Sequence, residues 1–204
     1  RATYERWAAS VPESFRFSVR VPKTITHERR LLDSKPYLDR FLGEALGLGP
    51  RLGCLLVQLP PTLEFDLDNV ERFFGDLREG YEGAVVIEPR HATWFTPDVN
   101  RFLQKLAITR VAADPAVVPP AGEPGGDPAK VYVRLHGSPQ VYYSSYTVSY
   151  LDALAFRLRT YARAGARVWC IFDNTIRGAA MSNAQHLMRK IVLEEASRGA
   201  IVSA

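Results

Sequence analysis

Six short runs along the chain are apolar and β-rich, and each ends in polar residues. "FRFSVRV" alternates over Phe15, Phe17, Val19 and Val21. "CLLVQLPP" ends at Gln58, "AVVIEPRH" at Glu88, Arg90 and His91, and "RVAADP" at Asp114. "VYVRLHG" ends at Arg134 and His136, and "RVWCIFDNT" at Asp173 and Asn174. Runs of this kind bounded by turn residues predict strands. Side chains alternate along a strand. Val131, Val133 and Leu135 are therefore expected on one face, with Tyr132, Arg134 and His136 on the other.

Most gaps between these runs carry helical spacing. Helices are predicted over 36–48, 67–77, 96–107, 147–165 and 182–199, with a helix-like stretch at the start. Thr96 and Pro97 suit the cap and first turn of one helix. A Thr or Ser opens the 147–165 helix and a Gly closes it. Between Asp114 and Lys130 the sequence is too rich in Pro and Gly for a helix. A linker and an ordered crossover both fit, and strands of one style on both sides favour the crossover.

Strands alternating with helices predict βαβ units and a parallel sheet. The fold class is α/β, as an open doubly wound sheet or a closed barrel. No GxGxxG follows the first strand, which weakens the dinucleotide-binding form and calls for no cofactor. Polar residues end all six strands. In a barrel those ends surround one mouth, so the pattern favours a TIM-barrel-like parallel (β/α) barrel, with 1–204 as one domain.

Composition adds limits. Of 204 residues, 47% are hydrophobic and 24% charged, enough for a sizeable core. No apolar run reaches the length of a membrane span, and the polar, aromatic start is unlike a secretory signal. That start also lacks Met, so a native start elsewhere is expected. Cys54 and Cys170 lie in apolar runs with no CxxC or His spacing, which predicts two buried thiols and suits the cytoplasm. The formal net charge of +4 is mild and spread out, so it tolerates an anionic partner without requiring one.

The stretches "FRFSVRVPKTITHERRL", "LLVQLPP", "EPRHATWF", "VAADP", "VYVRLHG" and "FDNT…GAAMSNA" occur in the order found in the YecE-like family. The chain resembles that domain-of-unknown-function family over nearly its whole length. The resemblance implies a TIM-barrel-like fold in which the six strands here are the third to eighth of eight. Two earlier strands would then be missing, leaving edges at 15–21 and 167–172 open to self-association. Pro89 stands where the family usually has an apolar residue, and Asp173 where it often has Asn.

The candidate catalytic residues are Glu88, His136 and Arg134. Glu88 ends a buried-type strand, where a carboxylate is costly unless paired. Arg134 is the expected partner, whether to close the barrel top or to tune Glu88 as an acid or base. His136, just before Gly137, titrates near neutrality and suits proton transfer. His91 is expected to orient its loop, and His186 to lie on a helix surface. Lys23 and His27 belong to a loop whose Ile25 suggests that it folds over the mouth. Lys23, Arg90 and Arg134 would make that mouth cationic, as a phosphate or carboxylate substrate requires. Gln58 and Asp173 are further binding candidates at strand ends.

Asn174, Gly178, Ser182 and Asn183 lie where barrels often bind phosphate, with plain helix capping as the commoner role. Tyr142, Tyr143 and Tyr146 are expected to be exposed for stacking, and Trp94 to anchor packing. Asp114, Glu88, His136 and Asp173 are ligand types for Mg, Mn or Zn. Lacking a ligand spacing such as HExxH, the chain is assigned no metal. Two function classes follow. One is an acid–base enzyme, hydrolase or isomerase, acting on a small anionic or sugar-phosphate-like substrate. The other is a nucleotide or nucleic-acid binding module without turnover.

Overall fold

The computed structural model describes the backbone of residues 1–201 and side-chain surroundings through residue 192. The chain divides into two compact units, Arg1–Arg110 and Val111–Ala204. The first contains α1 (Ala2–Ala9), β1 (Phe17–Arg20), a π-helical turn (Thr24–Glu28) and α2 (Lys35–Ala45). It continues through β2 (Leu52–Gln58), α3 (Leu67–Gly80), β3 (Val85–Glu88), α4 (Pro97–Lys105) and β4 (Ile108–Arg110). Its strands are parallel in the order β1-β2-β3-β4. The second unit holds β5 (Ala112–Asp114), the two-residue β6 (Gly125–Gly126), β7 (Lys130–Leu135), α5 (Val148–Arg163), β8 (Arg167–Phe172) and α6 (Ala179–Ile201). Here β5, β7 and β8 form a parallel sheet in that order.

Five of the six predicted runs form single strands, and the local chemistry of the helices explains their ends. The Thr96 hydroxyl accepts the Val99 N–H at 3.3 Å, with Pro97 in the first turn of α4. Thr147 accepts the Tyr150 N–H at 3.2 Å at the start of α5. Gly165 ends that helix at φ +93°, a left-handed conformation that glycine adopts without a Cβ penalty. Buried α3 residues Val70, Phe73, Phe74 and Leu77 recur at helical spacing and face the core of the first unit. In the second unit, Leu151, Leu154, Ala155 and Leu158 of α5 pack with Val131, Val133 and Leu135. Every residue of β3 is buried, as expected of a parallel strand covered on both faces.

Two expectations change. The run "RVAADP" is not one strand. It divides at Val111, with Ile108–Arg110 paired to β3 and Ala112–Asp114 paired to β7. Among the described residues the strand ladders fall in two sheets, neither closed on itself, and they do not show the one closed barrel that the repeat of strand and helix predicts. The Pro/Gly-rich segment after Asp114 is ordered without an α-helix. It contains a 3₁₀ turn at Pro119–Gly122 that buries Ala121. Among the described residues, no helix is long and apolar enough to cross a membrane.

Candidate functional site

Register brings the polar ends of the second sheet together. Asp114 pairs with Leu135, and Leu135 with Phe172. The next residues on β7 and β8, His136 and Asp173, therefore leave the sheet side by side. The Asp173 carboxylate bridges two partners. Its Oδ2 accepts from Arg134 Nη2 at 2.7 Å and lies 3.1 Å from His136 Nδ1. A carboxylate at that distance requires Nδ1 to carry the proton, so the neutral imidazole has Nε2 as its acceptor. His136 is 1% exposed, whereas the Asp173 side chain is 33% exposed. Arg134 and His136 meet the same oxygen because they share one face of the strand, as the alternation of "VYVRLHG" predicts.

A second chain of hydrogen bonds fixes the turn after His136. The Gly137 N–H donates to the Tyr146 hydroxyl at 2.8 Å, and that hydroxyl donates to Asp114 Oδ2 at 2.7 Å. The His136 N–H donates to the Asp114 carbonyl at 2.8 Å. Gly137 stands at φ +95°, and an added Cβ would lie 3.1 Å from the carbonyl oxygens of Gln140 and Ser144. Burial first, and then the Asp114 hydrogen bond, push the Tyr146 phenol far above its ordinary value. Burial and the Asp114 charge push Tyr150 up to about 12.

Asn174 and Asn183 hold the loop. Asn174 is fully buried, and its Nδ2 donates to the Ser144 carbonyl and to Asn183 Oδ1, both at 2.9 Å. Asn183 Oδ1 also accepts the Tyr146 N–H at 3.2 Å. Helix α6 already begins at Ala179, so neither Ser182 nor Asn183 caps it. Gly178 spends its N–H on the Thr175 carbonyl at 3.0 Å.

The tyrosines divide. Tyr142 and Tyr143 are 41% and 37% exposed, with Arg177 lying 5.7 Å over the Tyr143 ring. Tyr142 also meets the His136 ring edge-on at 6.0 Å. Tyr146 is buried, contrary to expectation, because its hydroxyl ties Gly137 to Asp114. The Asp114–Tyr146 link had no sequence signal beyond the presence of a tyrosine in "VYYSSY". His186 lies on α6 and pairs with Asp152 of α5 at 2.9 Å, so it joins two helices instead of lying idle on a surface.

The first unit contains its own carboxylate–guanidinium pair. Gln58 and Glu88 are register partners at the ends of β2 and β3. Glu88 is 1% exposed and accepts from the Arg90 guanidinium. This local pair supplies Glu88 with a cation two residues away. His91 accepts the Thr93 N–H at 3.4 Å and so caps the short turn Ala92–Phe95, an orienting role as expected. Trp94 is fully buried and donates from Nε1 to the Leu63 carbonyl at 2.9 Å, as a packing anchor should.

The segment holding Lys23 and His27 forms the π-helical turn, and its Ile25 belongs to the core of its own unit. Lys23 is exposed, and His27 Nδ1 lies 2.8 Å from Thr26 Oγ1. Burial, followed by the charges of Arg20 and Lys23, lowers the His27 pKa. Two of the three expected cations, Arg90 and Arg134, are thus matched by carboxylates. Both cysteines are free thiols, Cys54 buried and Cys170 partly so, and burial pushes the Cys170 thiol up to about 12. Among the described residues, no group of three or more His, Cys, Asp and Glu side chains could hold a metal ion.

A chain of parallel α/β units with polar residues at strand ends is a common scaffold, and fold alone assigns no reaction. A family model described as "Protein of unknown function DUF72" matches residues 1–201, and the chain belongs to that family. It is 30% identical to the UPF0759 protein YecE of Escherichia coli K12 over 115 residues, which span 53% of this chain. The same stretch spans only 42% of that relative, so the match covers less than half of its length. Among solved structures, a DUF72 family protein from Thermotoga maritima MSB8 superposes with a TM-score of 0.75 at 26% identity, covering 95% of this chain and 79% of that one. A DUF72 family protein from Enterococcus faecalis V583 gives 0.74 at 22% identity, covering 95% and 84%, and supports the fold alone.

Proposed function

We propose that the second unit is a catalytic module in which His136 moves a proton on a small anionic substrate, hydrolysing or isomerising it. The observation that carries this reading is the shared Asp173 oxygen, 2.7 Å from Arg134 Nη2 and 3.1 Å from His136 Nδ1. Asp173 fixes the ring and its tautomer, and it stabilises the imidazolium formed when Nε2 takes a proton. Protonation of His136 adds one positive charge beside Arg134, so anion binding and His136 protonation favour each other. Tyr142, exposed and edge-on to His136, supplies an aromatic wall. Glu88, sealed and held by Arg90, enters as a support of the first unit and not as a proton carrier.

The test is turnover of a panel of phosphomonoesters and sugar phosphates by the intact chain. His136→Gln and Asp173→Asn should each lower turnover at least about a hundredfold, the ordinary share of acid–base catalysis, with an unchanged far-UV spectrum. A panel that is neither bound nor turned over, or turnover indifferent to both variants, would overturn the reading. One observation favours a second reading, nucleotide or nucleic-acid binding: Arg177 stacks over the exposed Tyr143 beside the exposed Tyr142. Stacking platforms with adjacent cations bind bases without turning them over. Polymer binding should then weaken steeply with salt, and small-substrate turnover should not.

A further inference from the structure

The connection from β5 to β7 is unusual for neighbouring parallel strands. Such crossovers normally carry a helix that covers the sheet. Here residues 115–129 contain no α-helix, only the 3₁₀ turn at Pro119–Gly122 and the short β6. The face of β5 and β7 left by that missing helix is roofed only in part by α5. A pocket of 230 Å³ remains, with Val133 and Leu135 as its floor and Leu154 and Leu158 as its wall. Tyr150, Tyr161 and Asp114 add polar atoms, and the Arg157–Glu123 ion pair, 2.9 Å long, spans from α5 to the crossover.

We infer that this pocket is a binding site for a small organic cation, an aromatic or aliphatic body carrying one ammonium group directed at Asp114. Size sets the body. The volume equals that of roughly eight waters at about 30 Å³ each, which suits a single ring. Charge sets the head group. Asp114 and Glu123 outnumber Arg157 among the lining residues, leaving a net −1. The Asp114 charge also reaches Tyr150, where it helps to raise the phenol. Register directs the carboxylate inward: Asp114 stands opposite Leu135 and shares its pocket-lining face.

The site has a built-in consequence for the His136 turn. Asp114 Oδ2 accepts from Tyr146, whose oxygen accepts the Gly137 N–H. An ammonium that draws the Asp114 carboxylate toward the pocket pulls on this chain of hydrogen bonds. Occupancy is therefore felt at Gly137, next to His136, without any contact between ligand and imidazole.

Three probes of one shape test this on the full chain: benzylamine, benzyl alcohol and benzoate, followed by backbone amide NMR. Benzylamine should bind at millimolar concentration, move the amides of Ala113, Asp114 and Leu154, and also move those of Gly137 and Tyr146. Benzyl alcohol should bind at least tenfold more weakly and benzoate not at all. Asp114→Asn should weaken benzylamine at least tenfold, and Leu154→Trp, which fills the pocket, should abolish binding. Equal binding of the three probes overturns the charge assignment. Binding that survives Leu154→Trp, or amides that do not move, overturns the site. The three-probe comparison on the unmodified chain decides the case even where Asp114→Asn fails to fold.

Discussion

Each unit places an arginine–carboxylate pair at the C-terminal ends of parallel strands, and the two pairs are built oppositely. Glu88 and Arg90 lie two residues apart, with the carboxylate 1% and the guanidinium 18% exposed. Arg134 and Asp173 lie 39 residues apart on adjacent strands, with the guanidinium 8% and the carboxylate 33% exposed. In the first pair the anion is sealed and the cation reaches outward. In the second the cation is sealed and the anion reaches outward, with an imidazole on the same oxygen. A sealed carboxylate is chiefly a structural commitment, because removing its partner strands a buried charge. A reachable carboxylate that holds a ring is free to respond to a ligand. The same residue types thus take opposite exposures in the two units, closing one and, under the proposed function, supplying chemistry in the other.

The largest effect should come from breaking the sealed pair. Arg90→Ala takes its guanidinium from the buried Glu88 carboxylate and should cost about 3 kcal/mol, the low end for a buried pair. Asp173→Asn keeps a hydrogen-bonding oxygen beside Arg134, whose guanidinium is 8% exposed, and should cost about 1–2 kcal/mol. Urea unfolding of the two variants measures the contrast. Equal losses would mean that the two pairs do the same job.

Alkaline pH should separate the units next. Burial pushes Cys170 from 9.0 to about 12 and Tyr150 from 10.0 to about 12 in the second unit, with Tyr146 raised as well. The first unit has Tyr81, pushed by burial from 10.0 to about 12. Below pH 9 these groups are protonated both folded and unfolded, and their pH contribution is flat. Between the ordinary and the raised values only the unfolded chain releases the protons, so rising pH favours unfolding. Stability should therefore decline from about pH 9 to pH 12, and more steeply in the second unit. Urea titrations of variants retaining only Trp94 or only Trp169 read the two units separately. The smallest effects should be equal. Thr96→Ala and Thr147→Ala each remove one helix cap and should cost about 1 kcal/mol in either unit.

What the sequence made legible follows from what is local. Strands ending in Gln58, Glu88, Asp114, His136 and Asp173 declare themselves by hydrophobic runs that stop at polar residues, and the caps at Thr96 and Thr147 by residue type. The common face of Arg134 and His136 follows from strand alternation. Pairing across the fold is not local. Charge alone pairs Glu88 with an arginine, but that the turn after β3 supplies Arg90 to Glu88, and the register of β7 with β8 supplies Asp173 to Arg134, is not written in either local run. Tyr146 looked like its neighbours in "VYYSSY", and only the turn at Gly137 aims it inward at Asp114. The division of "RVAADP" at Val111 likewise depends on which strands its halves pair with, a property that no window of residues contains.

The central claim is that Asp173 holds His136 with the proton on Nδ1, and nitrogen NMR of the imidazole tests it most directly. The neutral ring in the native chain should show a protonated Nδ1 and an unprotonated Nε2, and Asp173→Asn should mix the two tautomers. A native ring protonated on Nε2 and bare at Nδ1, with a spectrum indifferent to Asp173→Asn, would contradict the account.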